Sequence, residues 1–301
     1  MPLTDIGDTT AIREDAFAKI NLALHVTGQR SDGYHLLEML VTFARHGDTL
    51  DFALSETDAF SVSGRFGDAL DDGGTNLVVK ARDALRAAIQ QAGGDAPAVR
   101  IHLQKNLPIA SGIGGGSADA AATLRGLMRL WQVSLPQQTI DAVALGLGAD
   151  VPMCLHSRPL IARGIGEDIE NVDHMPVFAM VLANPLRGVS TPEVFRKLDN
   201  KRNPPLPAEH PSSWMEALGG MRNDLEPAAR ALLPEIAAVS SMLADEGAMF
   251  VRMSGSGATC FGIFATAGDA EKAARRLQDT RPDWYFQATE TLAGGTHAGN
   301  R

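Results

Sequence analysis

One stretch stands out in this 301-residue sequence: Leu107-Pro108-Ile109-Ala110-Ser111-Gly112-Ile113-Gly114-Gly115-Gly116-Ser117, here named the glycine loop. Four of the five residues from 112 to 116 are glycine. Before the glycine loop, residues 99–104 alternate between apolar and polar side chains, as in a half-buried strand, and after it an alanine-rich run to Trp131 has helical spacing. The glycine loop is therefore predicted to join a strand to the start of a helix.

The composition of the glycine loop indicates a phosphate-binding site. Glycines let backbone N–H groups approach an anion closely, and the first turn of the following helix adds unpaired N–H donors and the positive end of its dipole. The stretch is not a Walker A loop, because no Gly-Lys-Ser/Thr follows, and it lacks the Gly-x-Gly-x-x-Gly spacing. A flexible turn without a ligand is the alternative interpretation.

The bulk properties exclude two classes of function. A formal net charge of −9 and a pI near 5.4 argue against nucleic-acid binding, which needs a basic face to neutralise backbone phosphates. The longest clear apolar run, residues 177–183, is far shorter than the roughly 20 residues of a membrane span. Residues 1–8 lack the features of a secretion signal, and Cys154 and Cys260 are isolated, as buried structural cysteines are. We therefore expect a cytoplasmic protein without nucleic-acid or membrane partners.

Residues 20–26 alternate as a strand, with apolar side chains on one face. Lys19 and Asn21 lie on the opposite face, where the period of two brings them close enough to serve one ligand. Tyr34 and His35 follow a turn at residues 28–33, and such side chains can stack on and hydrogen-bond a planar base. The alternatives are a solvated strand face for the lysine and ordinary packing for the tyrosine.

The remaining elements of the first half follow from spacing and caps. Strands are predicted near 36–43, 50–54 and 60–62, with a turn at 46–48, and helices from Asn76 to about Gln91 and from Pro136 to 146–148. Asp150 lies between the end of the second helix and an apolar run, residues 151–155, that predicts a strand. It is a candidate functional acid, or a turn residue that hydrogen-bonds its own backbone.

The composition shifts at residues 171–176, and we predict a domain boundary there, between residues 1–170 and 171–301. Beyond it the pattern predicts strands near 177–182, 248–253, 259–264 and 285–289, and helices from Thr191, over 225–244 and over 269–278. Strands and helices that mix without strict alternation favour an α+β fold over a doubly wound sheet.

Three separated stretches match, in order, the motifs of one superfamily: Lys19-Ile20-Asn21-Leu22, the glycine loop with Ser117, and Met253-Ser254-Gly255-Ser256-Gly257-Ala258. The sequence resembles the GHMP kinases. Three further stretches resemble the branch that phosphorylates a cytidine diphosphate derivative: Gly28-Gln29-Arg30-Ser31-Asp32-Gly33-Tyr34-His35, Gly148-Ala149-Asp150-Val151-Pro152 and Thr191-Pro192-Glu193-Val194-Phe195. The resemblance runs from about residue 16 to residue 264.

The resemblance implies a two-domain α+β GHMP kinase fold. Its N-terminal domain is ribosomal-protein-S5-domain-2-like and binds ATP, and its C-terminal domain is ferredoxin-like. The implied reaction is an ATP-dependent phosphorylation of a tertiary hydroxyl on a methylerythritol derivative of cytidine diphosphate, in isoprenoid-precursor synthesis. As in other kinases, Mg²⁺ is expected to accompany ATP.

The resemblance also implies roles for individual residues. Asp150 accepts the hydroxyl proton, and Lys19 holds Asp150 and stabilises charge at the transferring phosphoryl group. Tyr34 and Phe195 sandwich the cytosine, and His35 reads its polar edge. The remaining substrate residues are Asn21 and Thr191, and the residues assigned to ATP are Pro108, Ile109, Ala110, Ser111, Gly112, Ile113, Gly114, Gly115, Gly116, Ser117 and, near the adenosine, Asn76.

Two departures from the family pattern concern the glycine loop. Ala118 stands where the family often has a second serine, so Ser117 remains as the candidate magnesium ligand, and Ala110-Ser111 stand where glycine or alanine is usual. Three alternative functions remain: a GHMP kinase for another small alcohol, a non-catalytic nucleotide-binding regulator, and a purely structural α+β protein. A regulator would not need both Lys19 and Asp150, and a structural protein leaves the glycine loop unexplained. The sequence does not indicate an oligomeric state.

Overall fold

The computed structural model describes residues 11–70, 75–207 and 213–295; residues 1–8, which we expect to carry no secretion signal, lie outside these ranges. The strands are β1 (Ile12–Gln29), β2 (His35–Leu54), β3 (Ala59–Ser63), β4 (Val99–Gln104), β5 (Leu160–Gly164), β6 (Asp168–Asn171), β7 (Ala179–Asn184), β8 (Phe250–Met253), β9 (Cys260–Phe264) and β10 (Tyr285–Glu290). The helices are α1 (Leu77–Gln91), α2 (Gly115–Leu130), α3 (Gln137–Leu147), α4 (Val151–His156), α5 (Thr191–Arg196), α6 (Trp214–Gly220), α7 (Glu226–Leu232), α8 (Glu235–Asp245) and α9 (Ala267–Thr280).

The chain forms two compact units, and each unit combines separated segments. Unit 1 comprises residues up to 16, 47–107 and 116–155, and unit 2 comprises residues 17–46, 108–115 and 156 onwards. The predicted α+β class is confirmed by the mixture of strands and helices. The boundary at residues 171–176 stays a prediction.

Unit 1 is built on β4 and its neighbours. β4 pairs antiparallel with the last part of β2 and parallel with β3. The apolar residues of β4 are fully buried while the polar ones face outward, as the alternation predicts. Asn76 caps α1 by accepting a hydrogen bond from the Val78 backbone N–H at 2.9 Å. A stripe at helical spacing then buries one face of this helix: Val78, Ala81, Leu85 and Ile89.

Unit 2 contains an antiparallel sheet in the order β10-β7-β9-β8. All five residues of β9 are buried, which explains the continuous apolar run from 260 to 264. Helices α8 and α9 pack against this sheet. The first part of β2 pairs antiparallel with β5, which in turn pairs with β6.

The predicted turn at residues 46–48 is wrong, because β2 continues through it as one strand from His35 to Leu54. Asp48 carries the composition of a turn, yet its side chain is buried and accepts hydrogen bonds from the backbone N–H groups of Asn106 and Leu107. Tertiary partners therefore override the local preference.

Two predicted helices differ in detail. The helix over 225–244 is divided into α7 and α8 at Pro234, because proline supplies no backbone N–H and clashes with the preceding turn. The order Thr191-Pro192-Glu193 predicts Thr191 as the N-cap of α5, but the N-cap is Ser190, and Pro192 lies in the first turn. The other predicted elements of the second half lie within a few residues of β7, β8, β9, α9 and β10.

Candidate active site

The glycine loop ends in the first turn of α2, as the sequence predicts. Gly112 has φ of +78° and Gly114 has φ of +64°, a region that favours glycine. A Cβ atom at Gly112 would lie 2.6 Å from the carbonyl oxygens of both Ser254 and Gly257. Glycine at this position is therefore required by close backbone packing as well as by conformation.

Lys19 and Asn21 lie on the same face of β1, as the period of two predicts. Lys19 Nζ donates to Asn21 Oδ1 at 2.9 Å, and the two residues are 3% and 0% exposed. The solvated-face interpretation is therefore wrong. A Cβ atom at Gly114 would lie 3.1 Å from Lys19 Cε, so the lysine stem runs directly beside the glycine loop.

The amide nitrogen of Asn21 meets no acceptor among the residues that the structure describes. Its Oδ1 receives Lys19, while its Nδ2 is buried without a hydrogen-bond partner among the residues that the structure describes. Buried polar atoms are almost always paired. An unpaired amide donor beside a buried ammonium is the arrangement expected where a polar or anionic ligand binds.

Ser254 joins the three motifs to one another. Its Oγ accepts from the Asn21 backbone N–H at 3.0 Å and donates to the Gly112 carbonyl oxygen at 3.0 Å, and the residue is fully buried. The Thr259 backbone N–H donates to the Ser111 carbonyl oxygen at 3.0 Å. The strand of Lys19, the glycine loop and the late Ser-Gly stretch, far apart in sequence, thus meet within unit 2.

Asn223, which belongs to none of the sequence motifs, fixes the late Ser-Gly stretch. Its Nδ2 donates to the carbonyl oxygens of Met253 and Gly255 at 2.8 Å each, while its Oδ1 accepts from the Leu225 backbone N–H at 3.0 Å. The only local signal was an Asn-Asp pair before a helix, which is ordinary turn composition. Nothing in that signal identifies partners thirty residues away.

The residues predicted to bind the cytidine group lie in unit 2. The rings of His35 and Phe195 stack with centroids 4.7 Å apart and an interplanar angle of 24°. Burial lowers the pKa of His35 and nearby Lys201 lowers it further, and the Nε2 atom is buried without a partner in the described part of the chain. The Tyr34 side chain is exposed, and Thr191 Oγ1 lies 2.7 Å from Ser256 Oγ in the third motif.

Asn76 and the start of α2 are close together in unit 1. A Cβ atom at Gly116 would lie 3.3 Å from Leu77 Cδ1, so the first turns of α1 and α2 pack against each other. Ser117 is half-buried in the first turn of α2, and Ala118 is buried behind it. Residues predicted to bind adenosine and phosphate thus lie at neighbouring helix starts.

Asp150 is half-buried and immediately precedes α4, so the strand predicted over 151–155 is wrong. Its backbone carbonyl accepts from the Cys154 N–H at 3.2 Å. A short apolar run cannot distinguish a buried strand from a buried helix, and Pro152 is tolerated in a first helical turn. Arg125 of α2 holds the end of α4 by donating to the Cys154 carbonyl oxygen at 3.0 Å.

A buried ionic cluster in unit 1 is a second feature that no sequence motif indicates. Lys105 Nζ lies 2.5 Å from Asp48 Oδ2 and 2.6 Å from Asp119 Oδ2, and all three side chains are buried. Asp119 lies in the alanine-rich run after the glycine loop, where the pattern predicts only a helix. The spacing of the three charged residues in the sequence does not show that they contact one another.

The described residues contain no group of three or more His, Cys, Asp and Glu side chains that could hold a metal ion. Mg²⁺ usually takes one or two protein ligands and otherwise binds substrate phosphates and water. The Ser117 hydroxyl in the first turn of α2 fits this need. Among the residues that the structure describes, no helix combines the length and apolar character needed to cross a membrane.

Comparison with known proteins identifies the family. The family model for the GHMP kinases N terminal domain matches residues 76–158, and the model for GHMP kinases C terminal matches residues 206–283. A 4-diphosphocytidyl-2-C-methyl-D-erythritol kinase of Rhizobium johnstonii is 67% identical over 95% of each chain. A protein of the same name from Agrobacterium fabrum is 58% identical, over 97% of this chain and all of that one.

Solved structures agree with these sequence relatives. A crystal structure of 4-(cytidine 5'-diphospho)-2C-methyl-D-erythritol kinase superposes with a TM-score of 0.78 and 32% identity, covering 95% of this chain and 100% of that one. A homoserine kinase from Cytophaga hutchinsonii has a TM-score of 0.66 at 17% identity over 98% of each chain, which shows a shared fold alone. The chain therefore belongs to the GHMP kinases, in the family of the 4-diphosphocytidyl-2-C-methyl-D-erythritol kinases.

Proposed function

We propose that this chain transfers the γ-phosphoryl group of ATP to the 2-hydroxyl of 4-diphosphocytidyl-2-C-methyl-D-erythritol, in the non-mevalonate route to isoprenoid precursors. The observation that carries the reaction class is the buried Lys19 ammonium beside Gly114 of the glycine loop. The curated relatives that bear this substrate in their name support the choice of alcohol.

Phosphoryl transfer is catalysed mainly by positioning and by neutralising charge. We assign Asp150 to orient the 2-hydroxyl and to take its proton on a carboxylate oxygen as the new P–O bond forms. Lys19 offsets the charge on the oxygens of the transferred group. Asn21, whose Nδ2 lacks a protein partner in the described residues, donates to the substrate beside the lysine.

ATP is assigned to the glycine loop and the neighbouring helix starts. The N–H groups from Gly112 to Ser117 bind the phosphates, and Asn76 lies near the adenosine. The Ser117 hydroxyl would hold Mg²⁺, which would supply charge neutralisation at the ATP phosphates. Because the reaction needs cellular ATP, we also propose a cytoplasmic location.

The cytidine group is assigned to the aromatic cluster of unit 2. Its base is assigned to the Phe195 ring, and the Nε2 atom of His35, buried without a partner among the described residues, is assigned to the polar edge of the base. The exposed Tyr34 ring closes over the other face of the base. Thr191, held by Ser256, contributes a hydroxyl to the same substrate.

A panel of alcohols tests this function. The purified protein is incubated with ATP and, separately, with 4-diphosphocytidyl-2-C-methyl-D-erythritol, homoserine and mevalonate, and ADP release is measured against time. We expect sustained release with the first alcohol only. Release with homoserine or mevalonate instead would identify a GHMP kinase for another alcohol, and nucleotide binding without any release would identify a regulator.

A further inference from the structure

The buried cluster of Lys105, Asp48 and Asp119 has no part in the proposed phosphoryl transfer, yet it lies at both ends of the glycine loop. Lys105 is the first residue after β4, where the chain enters the glycine loop. Asp119 lies one helical turn after Gly115, the first residue of α2, so the two residues share one face of that helix. All three residues belong to unit 1.

A continuous set of hydrogen bonds connects these two ends. Asp48 Oδ1 accepts from the backbone N–H groups of Asn106 at 2.5 Å and Leu107 at 2.8 Å. Asp48 Oδ2 accepts from Lys105 Nζ, which also donates to Asp119 Oδ2 at 2.6 Å. The backbone at the entrance of the glycine loop is thereby linked through charged groups to the helix at its exit.

The charges of the cluster do not balance. Two carboxyl groups face one ammonium group. Burial raises the pKa of Asp119 to about 8, because a buried site disfavours a second carboxylate, and the charge of Lys105 opposes this shift. Asp119 Oδ1 has no hydrogen-bond partner in the described residues. Buried charged groups are often no more stabilising than apolar residues of similar size, so stability alone does not account for this choice of residues.

We propose that Asp48, Lys105 and Asp119 are positioning residues that hold the two ends of the glycine loop at the separation needed to bind the ATP phosphates. This inference rests on the proposed function, because it requires the glycine loop to bind ATP. It adds a role for residues that contact neither ATP nor the alcohol.

The three positioning residues Asp48, Lys105 and Asp119 are here called the clamp. Two substitutions at Asp119 test it. Asp119→Ala removes the acceptor for Lys105 while leaving the lysine paired with Asp48, so no buried charge is stranded. We expect the KM for ATP, measured at saturating alcohol, to rise about tenfold, since small displacements of binding groups have large effects. The KM for the alcohol stays within about twofold. Asp119→Asn keeps a carbonyl acceptor and is expected to restore the KM for ATP to within about threefold of the wild-type value.

The matched control is Asp58→Asn, at the other end of β4. Asp58 accepts from the backbone N–H of Val99, the first residue of β4, and from Arg86. We expect Asp58→Asn to lower the melting temperature without changing the KM for ATP. If Asp119→Ala behaves like Asp58→Asn, the cluster is merely structural and the inference is wrong.

A fourth variant separates this inference from the proposed function. Gly115→Val obstructs the backbone approach of phosphates at the start of α2. If Gly115→Val raises the KM for ATP and Asp119→Ala does not, the clamp alone is refuted. If neither variant changes the KM for ATP, the glycine loop does not bind ATP, and both the assigned ATP site and the role of the clamp are refuted.

Discussion

At the scale of single residues, the proposed chemistry depends most on Asp150. The variant Asp150→Asn keeps the size of the side chain but cannot take a proton from the alcohol. We predict a fall in kcat of about 10²-fold or more, the range expected for loss of a general base. The dissociation constants for ATP and the alcohol, measured by calorimetry, remain close to those of the wild type.

The matched control for Asp150 is Asp141→Asn. Asp141 is an exposed acid on α3 that accepts a hydrogen bond from Gln137 at 2.8 Å. The kcat of the Asp141→Asn variant is expected to equal that of the wild type. A kcat for Asp150→Asn as high as that of Asp141→Asn would refute the assignment of the base.

Tyr34 offers a separate test of the cytidine pocket. Its side chain is 62% exposed, so Tyr34→Ala removes little packing and should leave the melting temperature unchanged. Stacking of a base on an aromatic ring contributes about 1–3 kcal/mol. We therefore predict that the KM for the alcohol rises about tenfold while the KM for ATP stays constant.

Phe195→Leu extends the same test to the ring that stacks on His35. Leucine keeps an apolar side chain but lacks a flat face, so the KM for the alcohol should again rise. A lower melting temperature with an unaltered KM for the alcohol would show that the ring is packing only.

At the scale of elements, the glycine loop depends on the packing of one glycine. We predict that Gly112→Ala lowers the free energy of unfolding by about 1–3 kcal/mol, because the new Cβ atom meets two carbonyl oxygens at 2.6 Å and φ is +78°. Gly146→Ala in α3 is the control, since nothing lies within 4 Å of the added atom. It should raise stability by about 0.5–1 kcal/mol. Urea unfolding measures both, and equal signs for the two changes would contradict the packing account.

The elements also show where sequence patterns suffice and where they do not. Alternation in β4 and the cap and apolar stripe of α1 are local signals, and both elements form as predicted. The run 151–155 carries no periodicity that separates strand from helix, and it forms α4. Gly47-Asp48 has turn composition, but the buried partners of Asp48 keep it in β2. Local patterns fail where distant contacts determine the backbone.

At the scale of the whole molecule, an ion pair at the start of β4 makes stability depend on pH. The hydrogen bond from Arg86 lowers the pKa of Asp58 to about 2. A carboxyl group whose pKa is lowered by folding stabilises the folded state fully at pH values above 3.8, its ordinary pKa. This stabilisation is lost as the pH falls toward 2. Because Asp58 is exposed, screening by solvent limits the stabilisation from this shift to about 1 kcal/mol or less.

The prediction is a difference between two pH profiles. At neutral pH, Asp58→Asn should have a free energy of unfolding lower than that of the wild type by about 1 kcal/mol or less. The gap should close between about pH 4 and pH 2, as the wild-type carboxyl group is protonated. A gap that stays constant across this range would show that the pKa of Asp58 is not lowered by folding.

The same scale limits what the sequence reveals of the site. The three motifs are recognisable because each keeps its residues in one short stretch, but nothing in those stretches predicts the hydrogen bonds of Ser254 with Asn21 and Gly112. No local pattern indicates Asn223 or the cluster at Lys105, because their partners lie far away in sequence. Pairings across long separations follow from the fold and from no local pattern.

The most direct test of the central claim is the position of the transferred phosphoryl group. The purified protein is given ATP, Mg²⁺ and 4-diphosphocytidyl-2-C-methyl-D-erythritol, and the isolated product is examined by phosphorus and carbon nuclear magnetic resonance. We predict one new phosphomonoester whose phosphorus couples to the tertiary carbon bearing the 2-oxygen. A phosphomonoester on a primary or secondary hydroxyl, or ADP formed with no new phosphorus signal on the alcohol, would contradict the proposed function.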